Sequence, residues 1–374
     1  MTRTLTVTAL IALTAMAIVV IGLVAFRAAA STAVVEATRE HRFSFLEYEL
    51  SHLPNRWLMQ VAEWFDDDNA DEEAILDRWF ESQPPSDRNR VERMLERRLT
   101  EAIQAAGLTT PLPLFSHQRI VWPPVDIEFG DPLRVLAVSP RDEIRLISTV
   151  LLHAELPRDG FSEIEAAVEG SGEHAALVTA VGGVALYPAL VVTSRDYQGM
   201  LHLIAHEWMH HYLVFYPLGQ AYGRSGTLRT INETVPDIVG EELTEIVTER
   251  FPRVSSPEGV AAAMERQAIR DATDPILRAL RLEVDALLAA GEIETAEALM
   301  EETRLKLAAM GRTFRRINQA FFAFRGAYGA NPATVTPWGD RLFALRERSD
   351  SLAHFLSQVR QIGSDADAER LLNR

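Results

Sequence analysis

The sequence predicts an α+β chain that is mostly α. Three observations carry that expectation. Stretches with apolar residues three and four apart occupy both the first and the last third of the 374 residues. Short β-type runs, punctuated by proline and glycine, are confined to the middle. One histidine-rich stretch, residues 201–212, is apolar on most sides, as a central buried helix would be. The expected organisation is an N-terminal transmembrane helix within 1–30, a helical region over 31–107, a domain with a small mixed sheet and the histidine-rich helix over 108–260, and a helical C-terminal lobe over 261–374.

Composition narrows the function classes. A net charge of −16 leaves nothing to offset phosphate repulsion, so nucleic acid is excluded as a partner. The chain has no cysteine, so a metal site would have to use histidine and carboxylate ligands. A hydrophobic content of 47% is enough for a large core and for two or three domains.

Residues 5–26 carry no charge and no proline, between Arg3 and Arg27. At about 1.5 Å per residue that run crosses the hydrocarbon core. Ala28, Ala29 and Ala30 offer a cleavage site, but the apolar stretch is longer than that of a signal peptide. The expectation is a single-pass membrane protein with the rest of the chain extracytoplasmic. The alternative is secretion after cleavage near Ala30.

Residues 34–65 read as an amphipathic helix interrupted at Pro54, closed by a polar turn at 66–69. Residues 71–80 form another helix. Residues 87–106 form a charged one, with Val91, Met94, Leu95, Leu99 and Ile103 inward. Pro111 and Pro113 mark a linker. Short β runs follow at 120–122, 125–129 and 133–138. Ser139, Pro140 and the acids after them read as a helix start, continuing to 152. Gly182-Gly183 separates two apolar runs as in a tight hairpin, and Pro188 places the second run at a sheet edge. Asp196 opens the histidine-rich helix, which stops before Pro217. The segment 220–230 is a loop over the site, and Asn232 caps a helix to 247 that holds Pro236 in its first turn. Long helices are expected over 264–289, 293–322 and 340–362, with a frayed polar end.

Within 201–212 lies His206-Glu207-Trp208-Met209-His210. Residues four apart share a helix face, so both imidazoles can address one tetrahedral Zn²⁺, and Glu207 faces the position left open for water. Twenty-two residues after His210 come Asn232-Glu233, with Asp237 one turn beyond Glu233. A catalytic zinc wants a third protein ligand, and a metal-bound histidine usually donates its other N–H to a carboxylate. Glu233 suits the first role and Asp237 the second. His202, one turn before His206, reads as a hydrogen-bonded neighbour rather than a fourth ligand.

This pattern resembles the gluzincin, or thermolysin-like, zinc metallopeptidases over residues 176–248. The resemblance implies a gluzincin-like catalytic domain with an H-E-x-x-H helix. It implies Zn²⁺ on His206, His210 and Glu233, Glu207 as general base and Asp237 orienting a ligand histidine. It also implies a peptide or protein substrate, laid along a sheet edge. Such enzymes use a tyrosine and a histidine as oxyanion donors; the candidates here are Tyr216, Tyr222, Tyr328 and His354, none at a matching spacing. Arg325, in the aromatic cluster 321–328, could hold a carbonyl or carboxylate of the substrate. An aminopeptidase needs an acid beside the edge strand, and 182–192 has none, which favours an endopeptidase. Two other readings stay open: a zinc-bound, non-catalytic envelope binding or assembly protein, and a zinc hydrolase of a non-peptide amide.

Overall fold

The structure is a computed structural model that describes residues 32–45, 47–48, 72–112, 115–194, 196–253, 257–329 and 331–373. The apolar run 5–26 with its expected anchor, most of the helix expected over 34–65, and the turn at 66–69 lie outside the described residues. Among those described, no helix is long and apolar enough to cross a membrane. They are mostly helical with small sheets, as the sequence predicts.

Helix α1 (Thr32–Thr38) is shorter than expected. The chain turns after Thr38, and the Phe43 N–H donates to the Leu151 carbonyl at 2.9 Å. Strand-like pairing and burial of the Phe43 ring against Leu133, Leu186 and Leu190 replace the helix there. Helices α2 (Glu72–Ser82) and α3 (Arg88–Ala105) match the periodicity, and all five inward residues named for α3 are buried. Where the prolines predict a linker, β1 (Thr110–Leu112) and β2 (Phe115–Ile120) form an antiparallel hairpin, with Pro111 inside its short first strand.

Strand β3 (Ile127–Gly130) comes next, followed by β4 (Arg134–Pro140) and β5 (Ser148–Leu152), an antiparallel pair. The helix expected from Ser139 is therefore a strand–turn–strand. Ser139 caps the turn instead of a helix: its hydroxyl accepts from the Arg145 N–H and donates to the Glu143 carbonyl, both at 3.1 Å. Burial alternates along β5, the period of a half-covered strand rather than of a helix. Helix α4 (Arg158–Glu169), which periodicity leaves unread, leads to β6 (His174–Ala180) on the other side of β4. The β5–β4–β6 sheet buries Leu136, Val138, Val150 and Val178 under α1 and α4.

The glycine pair does not turn a hairpin between β6 and its successor. It carries the chain from one sheet to another, where β7 (Gly183–Val184) pairs antiparallel with β8 (Ala189–Val192). Strand β8 also pairs in parallel with β3, so it is the central strand, and Pro188 precedes it. The edge beside the histidine helix belongs to β7.

Helix α5 (Tyr197–Leu213) is capped by Asp196, whose carboxylate accepts from the Gly199 N–H at 3.2 Å. It is buried on nearly all sides, with Trp208 at its middle donating to the Pro123 carbonyl at 2.9 Å. A short helix, α6 (Pro217–Gln220), leads to α7 (Gly226–Arg250). The α7 cap is Ser225, not Asn232, so Pro236 lies in the helix interior. It removes the N–H that would have bonded the Asn232 carbonyl. Burial of Ile231, Val235, Ile238 and Val239 in the main core, about 1.5–3 kcal/mol for each large side chain, holds α7 helical across it. Asn232 is buried and its amide donates to the carbonyls of Leu218 and Leu228, tying α6 to α7.

Helices α8 (Pro257–Ala289) and α9 (Ile293–Ala309) pack together and, with α10 (Gln319–Arg325), cover the second face of the β5–β4–β6 sheet. The helix expected over 293–322 is broken because Gly311 turns the chain at a left-handed φ of 91°. Helices α11 (Trp338–Glu347), α12 (Leu352–Val359) and α13 (Asp365–Leu372) replace the single helix over 340–362 and the frayed end. Ser351 and Ser364 cap α12 and α13, and Phe355, Ala368 and Leu372 are buried in the same core as α5 and α7.

Side chains close several strand edges. The Phe129 and Ile127 N–H groups of β3 donate to Glu92 and Glu96 of α3, at 2.7 and 2.8 Å. The Val178 and Ala176 N–H groups of β6 donate in the same way to Glu165 and Glu169 of α4, at 2.6 and 2.9 Å. In each case carboxylates one helical turn apart meet N–H groups two residues apart on a strand.

Candidate metal centre

Helices α5 and α7 pack against each other and bring His206, His210 and Glu233 together. The Nε2 atoms of His206 and His210 lie 3.1 Å apart, and Glu233 Oε2 is 3.5 Å from the first and 3.7 Å from the second. For an ion bound about 2.1 Å from each donor, tetrahedral angles put the donors about 3.4 Å from one another. The three atoms fit that triangle, and these residues could hold a metal ion. His206 Nδ1 lies 2.8 Å from Asp237 Oδ1. A carboxylate only accepts, so Nδ1 carries a proton and Nε2 is the ring nitrogen left to address an ion. His202 stands on the outer side of Asp237, with Nε2 3.6 Å from Oδ1. It forms a second possible group with His206 and Asp237, but the 2.8 Å contact inside that group has the length of a hydrogen bond.

Burial works against a charged His206, yet Asp237, Glu233 and Glu207 outweigh it and hold the ring up to about 10. Against its own burial, Glu233 is held far below the carboxylate range by His206 and His210. Asp237 is lowered likewise by His202 and His206. Burial pushes Glu207 up, with the two histidines opposing. His211, next to His210, is pushed down to about 4 by its burial. Its Nε2 meets the Leu186 carbonyl at 2.7 Å, bracing the turn between β7 and β8.

Glu207 touches β7 itself. A Cβ built on Gly183 would fall 2.3 Å from Glu207 Oε1, so only glycine lets the strand approach this closely. The contact opens into a cleft of about 220 Å³, lined mainly by apolar groups such as Val135, Leu151, Val184 and Phe324. His206, Glu207, His210 and Glu233 all line it.

Of the other residues singled out in the sequence, Tyr222 and Tyr328 reach the cleft. The Tyr222 hydroxyl donates to Glu233 Oε1 at 2.5 Å. The Tyr328 ring stacks on His206 with centroids 6.2 Å apart, and the next N–H, of Gly329, donates to Thr234 Oγ1 at 3.0 Å. Asp237 sits behind His206. Arg325 and His354 are not among the cleft-lining residues. Arg325 lies over the Phe324 ring, and His354 is exposed on α12 with Asp350 3.7 Å away. Tyr216 is engaged elsewhere, with Arg360 over its ring. Phe324 and Tyr328 bring the aromatic cluster 321–328 to the cleft. Gly183 is the site residue that the sequence does not reveal, because a glycine pair signals a turn as readily as a close approach.

The chain matches no protein-family model, no curated protein and no solved structure.

Proposed function

We propose that the protein is a zinc-dependent metallopeptidase of the gluzincin kind that cleaves internal peptide bonds, held to a membrane by the apolar run 5–26. The observation that carries this reading is the donor triangle of 3.1, 3.5 and 3.7 Å, with Glu207 beside it. Two imidazoles and one carboxylate without thiolate suit zinc in a hydrolytic site. His206, His210 and Glu233 would hold the ion, which when bound supplies a Lewis acid for water and for the scissile carbonyl. Glu207 takes the proton from the attacking water and delivers it to the leaving nitrogen. Asp237 keeps the proton on His206 Nδ1. With the Tyr222 hydroxyl engaged by Glu233, Tyr328 is the residue left to donate to the developing oxyanion.

The substrate class follows from the cleft. β7 is an end strand next to Glu207, and an extended peptide can add to such an edge. Among the described residues, those lining the cleft include no Lys, Arg or Asp, and their carboxylates are Glu207 and Glu233. None of these described residues stands apart from the metal position to hold a free peptide terminus, which favours an endopeptidase.

The test is metal content and turnover of Glu207→Gln. The expected outcome is about one zinc per chain in parent and variant, with cleavage of a quenched peptide library reduced at least about 1,000-fold in the variant. Full activity in the variant removes the base assignment. Zinc bound with no cleavage by the parent would favour the non-catalytic assembly reading, and cleavage of small amides alone the non-peptide one.

A further inference from the structure

We infer that Tyr222 is a positioning residue for the metal centre: its hydroxyl claims one oxygen of Glu233 and so makes that ligand monodentate. The inference rests on the metallopeptidase reading and gives Tyr222 a role other than oxyanion donation. Glu233 Oε2 is the oxygen that faces His206 and His210, at 3.5 and 3.7 Å. Oε1 accepts from Tyr222 at 2.5 Å, the length of a strong hydrogen bond to a charged acceptor. The two oxygens of one buried carboxylate are thus divided between the metal position and a phenol.

A second contact fixes the phenol itself. The Tyr222 ring meets the His210 ring edge-on, with centroids 6.2 Å apart at 84°. Tyr222 therefore touches two of the three ligands, on two helices. It can do so because the segment between α6 and α7 folds back over the site; the Tyr222 N–H donates to the Gly219 carbonyl at 3.2 Å. A free carboxylate beside a divalent ion can bind through both oxygens. That would take the coordination position that water and substrate need. Tyr222 keeps it clear by holding Oε1 away, and partners outside the ligand set typically change metal affinity about 10–100-fold.

The experiment compares the full chain with Tyr222→Phe and, as a control in the same cleft, Tyr328→Phe, each loaded with Co²⁺. The parent should give the intense visible absorption of a four-coordinate ion. Tyr222→Phe should give weaker bands typical of higher coordination, and its zinc affinity by chelator competition should fall at least about tenfold. Tyr328→Phe should keep the parent spectrum while losing turnover. Circular dichroism and melting temperatures check that the variants are folded; Phe keeps the ring that packs on His210. A Tyr222→Phe spectrum and zinc affinity equal to the parent's, with the parent binding cobalt normally, would overturn the inference and leave the metal centre standing. A folded parent that takes up neither cobalt nor zinc would remove the metal centre and this role together.

Discussion

The edges of β3 and β6 and the edge of β7 are treated in opposite ways. On β3 and β6, glutamates one helical turn apart take the N–H groups that would otherwise seek another strand. The outer side of β5 is covered as well, by residues 41–43, with the Phe43 N–H on Leu151 and the His153 N–H on His41. Strand β7 pairs with β8 alone, and Glu207 lies against its Gly183, with both residues lining the cleft. Open edges invite unwanted pairing, and proteins usually blunt them. Here, apart from the β1–β2 hairpin, the edge left open among the described strands belongs to the strand that Glu207 touches.

That contrast can be broken from either side. The largest effect is expected from Gly183→Ala, whose methyl group would collide with Glu207. On the proposed reading, displacing Glu207 by about 1 Å should lower kcat/KM about 100-fold, with zinc content unchanged. An active Gly183→Ala enzyme would mean that β7 and Glu207 are not held against each other. On the closed side, Glu92→Ala leaves the buried Phe129 N–H without that acceptor and should cost about 1–3 kcal/mol of stability. The urea midpoint should fall while zinc binding per folded molecule stays constant. A third comparison uses the ligand. Methylating, one at a time, the backbone nitrogens of a cleaved peptide should weaken binding about 2–10-fold where an N–H meets β7. Uniform tolerance would show that substrates do not use that edge. The smallest effect lies away from both edges, at Glu297, which Arg141 and Gln319 hold below the usual carboxylate range. A lowered folded pKa gives stability that is present above about 4.5 and lost as pH falls through the folded value. Glu297→Gln should therefore flatten the acid side of the melting profile, by less than about 1 kcal/mol because the pair is partly exposed.

The metal-facing residues were legible because helical spacing alone places His206 with His210 and Glu233 with Asp237. The pairing of their two helices followed from ligand chemistry. The sheets were less legible for physical reasons. The run from Ser139 carries good helix-start signals, but Ile147, Val150 and Leu152 are committed by pairing and burial against β4, which sequence neighbours do not reveal. The Gly182-Gly183 pair is compatible with a turn, and only the position of Glu207 gives it another use. Pro236 looked like a first-turn residue because its isolated cost is high, about 3 kcal/mol; the buried neighbours of α7 override it. Tyr328 reaches His206 through a contact of Gly329 with Thr234 across 95 residues, a distance at which periodicity is silent.

The candidate ligands His206, His210 and Glu233 fall within 28 consecutive positions, on two neighbouring helices. The opposite wall of the cleft arrives from β4, β5 and the Phe324–Tyr328 region, far away along the chain. Contacts between near neighbours close with little loop entropy and tend to form early, while distant ones wait for the rest of the chain. On the proposed reading, the metal position is built from near neighbours in sequence, whereas the wall that would seat a peptide needs the complete fold.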